Sequence, residues 1–423
     1  MIIHEPQLKQ TGQETSVEAA VEVERPDAPY PATLWFTFPQ NVGGFVTTRA
    51  DGFAAALLPL AMRLGERLTV HGDLSYRLAH GIRDYQRLQS TWKPDFFTAV
   101  EVQPDELRSR DRGEATGAVG TAFSGGVDSF HTLWCHLERN EPYAPYRISH
   151  CLMINGFDPD ADLENSGRFL KMQRLYEAMV RRHGLELVVV RTNLLQFLGL
   201  AIQKQAFAAF VTAPALVLGR LFSRYYVPSS YKFTLINGFY DGSHPMFDHL
   251  LATETMETIH DSGHLTRVEK TIAISQWPET YDLLRVCVKQ TGIQPGRDAI
   301  ANCCACEKCL RTMMALDVAG ALQNYRSFPQ PLTGNNIRRT DYGYPGTRVF
   351  AEEIVEYARR ERRSDIVRNV RFAIFNSAVY RARIRALMLA SYRLEQRSPR
   401  WAAIVRRPKR LVQRTGLGRG WLY

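Results

Sequence analysis

From about Thr33 the chain alternates short apolar runs with stretches of helical period. TLWFTFP and RLTVHG read as short strands, YRLAHGIRDYQRL as a helix and FTAVEV as a further strand. From Ala118 the alternation becomes regular: AVGTAF, HCLMINGF and LELVVVRTN are strands, separated by the helices SFHTLWCHLERN and FLKMQRLYEAMVRRHG. AIQKQAFAAFVTAPALVLGRLFSRYY continues as a helical region with an internal proline. Strands this continuously apolar predict an α/β fold, a parallel sheet with helices on both faces. Ligands of such sheets sit beyond the carboxyl ends of the strands, which directs attention to the loops after Phe123, Ile154 and Val190.

The same pattern suggests four regions. Residues 1–29, polar and rich in Glu, Gln and Pro, read as a loose segment. Residues 30–105 read as a small α/β domain, followed by the polar linker LRSRDRGEATG. Residues 116–320 hold the regular alternation, and 321–423 a mostly helical extension behind a Pro/Gly/Asn-rich stretch. Val370 with Ile374, and Phe375 with Val379, lie one helical turn apart there and are expected to pack inward. No internal repeat or heptad array is visible.

Composition changes this picture little. With 423 residues, 45% hydrophobic and 23% charged, the chain is of ordinary globular type rather than disordered, collagen-like or a membrane bundle. It has no apolar run of the ~18 residues that a membrane span needs and no basic-then-apolar leader, so a cytoplasmic location is expected. Charge is more informative. The net +10 is concentrated at one end, because residues 355–423 hold 18 Lys plus Arg against 4 Asp plus Glu, and the remainder is near neutral. RNA or an acidic partner at this basic tail is one expectation, a solvated arginine face another and a membrane surface a third.

The first chemical signal is the turn SGGVDS, Ser124 to Ser129, which joins a strand to a helix whose Phe130, Leu133, Trp134 and Leu137 form one apolar stripe. Two glycines let a ligand approach the backbone, and the free N–H groups of the helix start point into the loop with the positive end of its dipole. Lysine is absent from the turn, so this is not a Walker loop. The second signal is Cys303-x2-Cys306-x2-Cys309, with Cys287 upstream as a fourth thiol. Four sulfurs suit a closed tetrahedral zinc site without an open catalytic position, and an iron–sulfur cluster is the other occupant such a set admits. Cys304 reads as a spare thiol, and Cys135 and Cys151 as buried apolar fillers.

SGGVDS resembles the pyrophosphate loop of the PP-loop ATP pyrophosphatases, the adenine nucleotide alpha hydrolase-like superfamily. The later four-cysteine set makes the chain look most like the 7-cyano-7-deazaguanine synthase family, over about Ala118 to Leu316. The resemblance implies a PP-loop fold that uses ATP and magnesium, with Ser124, Gly125, Gly126, Val127, Asp128 and Ser129 around the departing pyrophosphate. It also implies Cys287, Cys303, Cys306 and Cys309 as zinc ligands, and it makes Lys270, in RVEKT, the candidate contact to phosphate. Asp128, Ser129 and Lys270 are then the catalytic candidates. Asn155-Gly-Phe-Asp158 stands where that family carries Tyr-Gly-Gln, so only the glycine corresponds.

The expected reaction is adenylation of a carboxylate-bearing small molecule and its transfer to ammonia or an amine donor. Ile2 follows Met1 and no Cys/His pair suggests a glutaminase, so the nitrogen comes from free ammonia, an amine substrate or a partner. The rivals are a tRNA-modifying sulfur transferase and a module that senses ATP without consuming it. His131, His244, His249, His260 and His264 lack metal-ligand spacing and read as structural, His244 least securely because of its loop. A homo-oligomer is left open.

Overall fold

Alternation at the very start of the chain builds structure where looseness was expected. The computed structural model describes residues 1–25, 27–157, 167–233, 241–287, 292–294 and 298–397. Within 1–29 lie three strands, β1 (Ile2–Ile3), β2 (Gln7–Gln10) and β3 (Glu14–Glu22). In β3 every second residue, Thr15, Val17, Ala19 and Val21, is buried while the intervening Glu and Ser face outward. The polar average of the segment concealed this period.

The elements that follow are β4 (Thr33–Pro39), α1 (Asp51–Leu64), β5 (Leu68–Ser75), α2 (Tyr76–Trp92) and β6 (Val102–Arg108). Next come β7 (Ala118–Ala122), α3 (Val127–Cys135), β8 (His150–Asn155), α4 (Gly167–Arg182), β9 (Glu186–Thr192), α5 (Leu194–Gln205) and α6 (Phe207–Val217). β10 (Phe222–Pro228), β11 (Glu257–Asp261), α7 (Arg267–Ile274), α8 (Glu279–Leu283), β12 (Gly292–Ile293), β13 (Ile300–Ala301) and α9 (Glu307–Val318) complete this part. The strand read as FTAVEV begins only at Val102 and runs into the expected linker.

Eleven strands form one sheet in the order β11-β10-β7-β8-β9-β4-β3-β1-β5-β6, with β2 paired to β3. Neighbours from β11 through β9 run parallel. β4 joins them antiparallel, Phe36 opposite Thr192, so residues 30–105 share the sheet of the later alternation rather than forming their own. Asn193 closes that joint: its Oδ1 accepts from Trp35 N at 3.1 Å and its Nδ2 donates to Thr33 O at 2.8 Å.

Leu152, Ile154, Val188, Val190, Tyr225 and Val227 pack in one apolar cluster with residues of α1, α5 and α6. Alternate positions of the same strands point the other way. There Phe123 stacks edge-on against Phe130 of α3 and Tyr176 of α4, ring centres 5.2 Å apart in each pair.

By internal contacts the chain separates into Met1–Cys304 with Ala315–Pro331, and Ala305–Met314 with Leu332–Tyr423. The second unit contains α10 (Gly334–Arg338), α11 (Pro345–Arg360) and α12 (Ser364–Arg397). Phe350, Ile354 and Ala358 of α11 are buried, as are Ile366, Val370 and Ala373 of α12. Phe375, expected to pack inward with Val379, is instead 65% exposed. Among the described residues no helix is long and apolar enough to cross a membrane.

Candidate nucleotide loop and metal centre

Ser124–Ser129 lies beyond the carboxyl end of β7, a strand flanked on both sides by parallel neighbours, and runs directly into α3. Gly125 adopts φ +73°, and a Cβ built there would lie 1.9 Å from the Tyr176 hydroxyl oxygen, so both conformation and space demand glycine. Ser129 Oγ accepts from Ser124 N at 3.3 Å and donates to Gly126 O at 3.1 Å, folding the loop over its own helix. No side chain caps α3. The N–H groups of its first turn therefore remain available to an external anion.

Cationic groups reach the loop from α7. That helix starts at a capping box in which Thr266 Oγ1 accepts from Glu269 N at 3.2 Å and Glu269 Oε2 accepts from Thr266 N at 2.7 Å. Arg267 and Lys270, three residues apart on one face, both approach Asp128. Arg267 holds the carboxylate with two N–H groups, one at 3.3 Å, and Lys270 Nζ lies 3.9 Å from Asp128 Oδ1. Lys270 is only 1% exposed, and its Nζ donates to Ser229 O at 2.6 Å and Ser229 Oγ at 2.5 Å, just beyond β10. It is thus a buried charge behind the loop. Arg267 was not singled out from the sequence, although its i, i+3 spacing to Lys270 was the available signal.

The far side of α3 is tied to the end of β11. The Asp261 carboxylate accepts from Thr132 Oγ1 at 2.6 Å and Ser262 Oγ at 2.7 Å and lies 3.1 Å from His136 Nε2. Burial alone would raise its pKa, but these partners together hold it well below the ordinary carboxylate range. Burial, reinforced by the Lys270 charge, lowers the His131 imidazole to about 4. Cys135 Sγ sits 3.6 Å from His131 Nε2, and burial pushes that thiol up to about 12, so it is a protonated filler rather than a nucleophile.

The four cysteines meet. One sulfur from each of Cys287, Cys303, Cys306 and Cys309 lies within 4.8 Å of the others. Cys306 and Cys309 share one face at the start of α9, their sulfurs 3.4 Å apart. Bonds of ~2.3 Å to a tetrahedral zinc imply sulfur–sulfur spacings of roughly 3.8 Å, so the set fits that ion. Cys304, at φ +54°, turns its thiol to the carbonyl of Asn302 at 3.4 Å and is outside the set. Asn302, absent from the sequence-based candidates, anchors the segment that carries Cys287. Its Oδ1 accepts from Val286 N at 2.9 Å and Cys287 N at 3.1 Å, and its Nδ2 donates to Leu284 O at 2.8 Å.

The segment carrying Cys287 also supports the loop. Arg285 N donates to Gly125 O at 2.7 Å and the Tyr176 hydroxyl to Leu283 O at 3.1 Å. Cysteine segment and glycine turn thus share one short piece of backbone.

Other candidates lie elsewhere. Gly156 ends β8 at φ +118°, while Asp158 falls outside the described residues. His244 is buried near Trp92, ring centres 5.0 Å apart, and His260 Nδ1 pairs with Asp248 Oδ2 at 2.8 Å, in keeping with architectural roles. Comparison of the chain with models of known protein families, with curated proteins and with solved structures finds no match to any of them.

Proposed function

We propose that the protein is an ATP-dependent ligase that activates a carboxylate as its adenylate and passes it to ammonia or an amine. The observation that carries the reading is the SGGVDS turn itself: an uncapped helix start and a left-handed glycine, at the carboxyl end of an interior parallel strand. Such a turn offers backbone donors to the β and γ phosphates. Arg267 and the buried Lys270 place positive charge beside it, and Arg267 fixes the Asp128 carboxylate at the mouth of the loop.

In this reaction a carboxylate oxygen attacks the α-phosphorus of ATP and the bond to the β-phosphate oxygen breaks, releasing pyrophosphate. The nitrogen lone pair then attacks the acyl carbon, AMP leaves, and the nitrogen gives up a proton. Positioning and charge neutralisation supply most of the catalysis, with magnesium sharing the phosphate charge. Zinc on the four thiolates supplies folding energy and fixes the segment beneath Gly125. Within the resemblance noted above, the order of turn and cysteine set points to the 7-cyano-7-deazaguanine synthase type.

The test is product analysis with ATP labelled in the α and γ phosphates, supplied with ammonium and a pool of small carboxylic acids. AMP and pyrophosphate in equal amounts support the ligase. ADP with phosphate contradicts it, and nucleotide binding without turnover favours a sensor.

A further inference from the structure

Arginines at and around α11 and α12 form a cationic surface in the second unit. Arg359, Arg362, Arg368 and Arg371 line an open hollow of about 570 Å³ where α11 gives way to α12. Their neighbours Arg360 and Arg363 are paired with Glu356 and Asp365. The four lining the hollow have no acidic partner within ion-pair distance among the described residues. Four uncompensated guanidinium groups around one concavity repel one another unless an anion fills it.

The same helix carries apolar rings beside this charge. On α12, Arg368 and Phe372, and likewise Arg371 and Phe375, are four residues apart and therefore neighbours on one face. Phe372 is 49% and Phe375 65% exposed, unusual for phenyl rings in so charged a setting. Arg383, two turns beyond Phe375 and exposed, continues the stripe. A hydrated inorganic anion has no use for flat exposed rings between arginines. A single-stranded nucleic acid does, because its phosphates pair with guanidinium groups while its unstacked bases lie on aromatic faces. In double-stranded RNA the base faces are not available to such rings.

We infer that the α11–α12 face of this chain is a docking surface for single-stranded RNA, with the Arg359–Arg371 hollow holding phosphate and Phe372 and Phe375 stacking bases. The proposal stands apart from the ligase reading. If RNA is also what the enzyme acts on, the surface holds that substrate, but binding is measured without turnover.

The experiment is fluorescence anisotropy of the full-length protein with a labelled 20-nucleotide single-stranded RNA of mixed sequence, across a salt series. The wild type is expected to bind with a steep salt dependence. Arg368→Glu/Arg371→Glu is expected to weaken binding by more than tenfold and to flatten the slope, and Phe372→Ala/Phe375→Ala, which keeps the charge, to weaken it about tenfold. Melting curves confirm that both variants are folded. Wild-type affinity in either folded double variant overturns the proposal, as does salt-independent binding or tighter binding of an RNA duplex. Binding to phosphatidylserine vesicles without binding to RNA overturns it in favour of a membrane surface.

Discussion

The glycine turn and the cysteine set are neighbours in the fold but are built on opposite principles. The turn is six consecutive residues, Ser124–Ser129, shaped by backbone conformation and by a side chain packed over it: Gly125 at φ +73° beneath Tyr176. The cysteine set assembles ligands from two stretches, Cys287 and Cys303–Cys309, which Asn302 brings into register. Local geometry maintains the first without a ligand. The four thiols, within 4.8 Å of one another, form a group that could hold a metal ion, and a bound ion would fix their spacing. The link between Arg285 and Gly125 means that loss of the second should disturb the first, whereas the reverse need not hold.

Cys306→Ser breaks the comparison at its stronger end. A structural zinc contributes on the order of 10 kcal/mol in small peptides, so the variant should lose metal by elemental analysis and melt far below wild type, or fail to fold. Chelation of the wild type should reproduce this. A metal-free Cys306→Ser protein with unchanged melting would remove the structural role.

Asp128→Asn acts on the turn alone. It keeps the shape of the side chain and removes the charge held by Arg267, so pyrophosphate release should fall by roughly 10³-fold, about 4 kcal/mol in barrier, with melting nearly unchanged. Steady-state release of pyrophosphate from ATP measures it.

A pH series tests the packing behind the turn. The folded chain keeps His131 neutral down to about 4. Below about pH 6.5, the ordinary histidine value, the unfolded chain binds a proton there that the folded chain refuses. This contribution is complete above that pH and is lost as pH falls towards about 4, on the order of 3 kcal/mol in all. Urea midpoints of His131→Asn should therefore fall less steeply over this window than those of wild type. Parallel slopes would show that His131 is not the group responsible.

Gly125→Ala is expected to cost about 1–3 kcal/mol of stability, for a left-handed alanine without room for its Cβ. Nucleotide affinity should suffer more. Trimming the obstructing ring in Gly125→Ala/Tyr176→Ala should not restore binding, because the φ penalty remains.

The parallel half of the sheet and both chemical motifs were legible because their signals are local: continuous apolar strands, a strand-to-helix glycine turn, cysteines three apart. What escaped notice depends on contacts distant in sequence. Residues 1–22 join the sheet because Thr15, Val17, Ala19 and Val21 find an apolar face, which their glutamate-rich surroundings hid. Asn193 and Asn302 look like ordinary polar residues until the backbones they bridge, at Thr33 and Cys287, are known. Lys270 was read only as a candidate contact to phosphate, and its burial follows from Ser229 at the end of another strand. Phe375 fits an amphipathic pattern by spacing yet faces outward, because α11 covers a different stripe of α12.

The central claim, that the Ser124–Ser129 turn holds the β and γ phosphates of ATP, is tested most directly by isothermal titration with α,β-methylene ATP, which resists cleavage between the α and β phosphates. The account predicts one nucleotide per chain, displaced by pyrophosphate and lost in Gly125→Ala while the rest of the fold persists. Absence of binding to wild type, or binding that neither pyrophosphate nor Gly125→Ala affects, would contradict it.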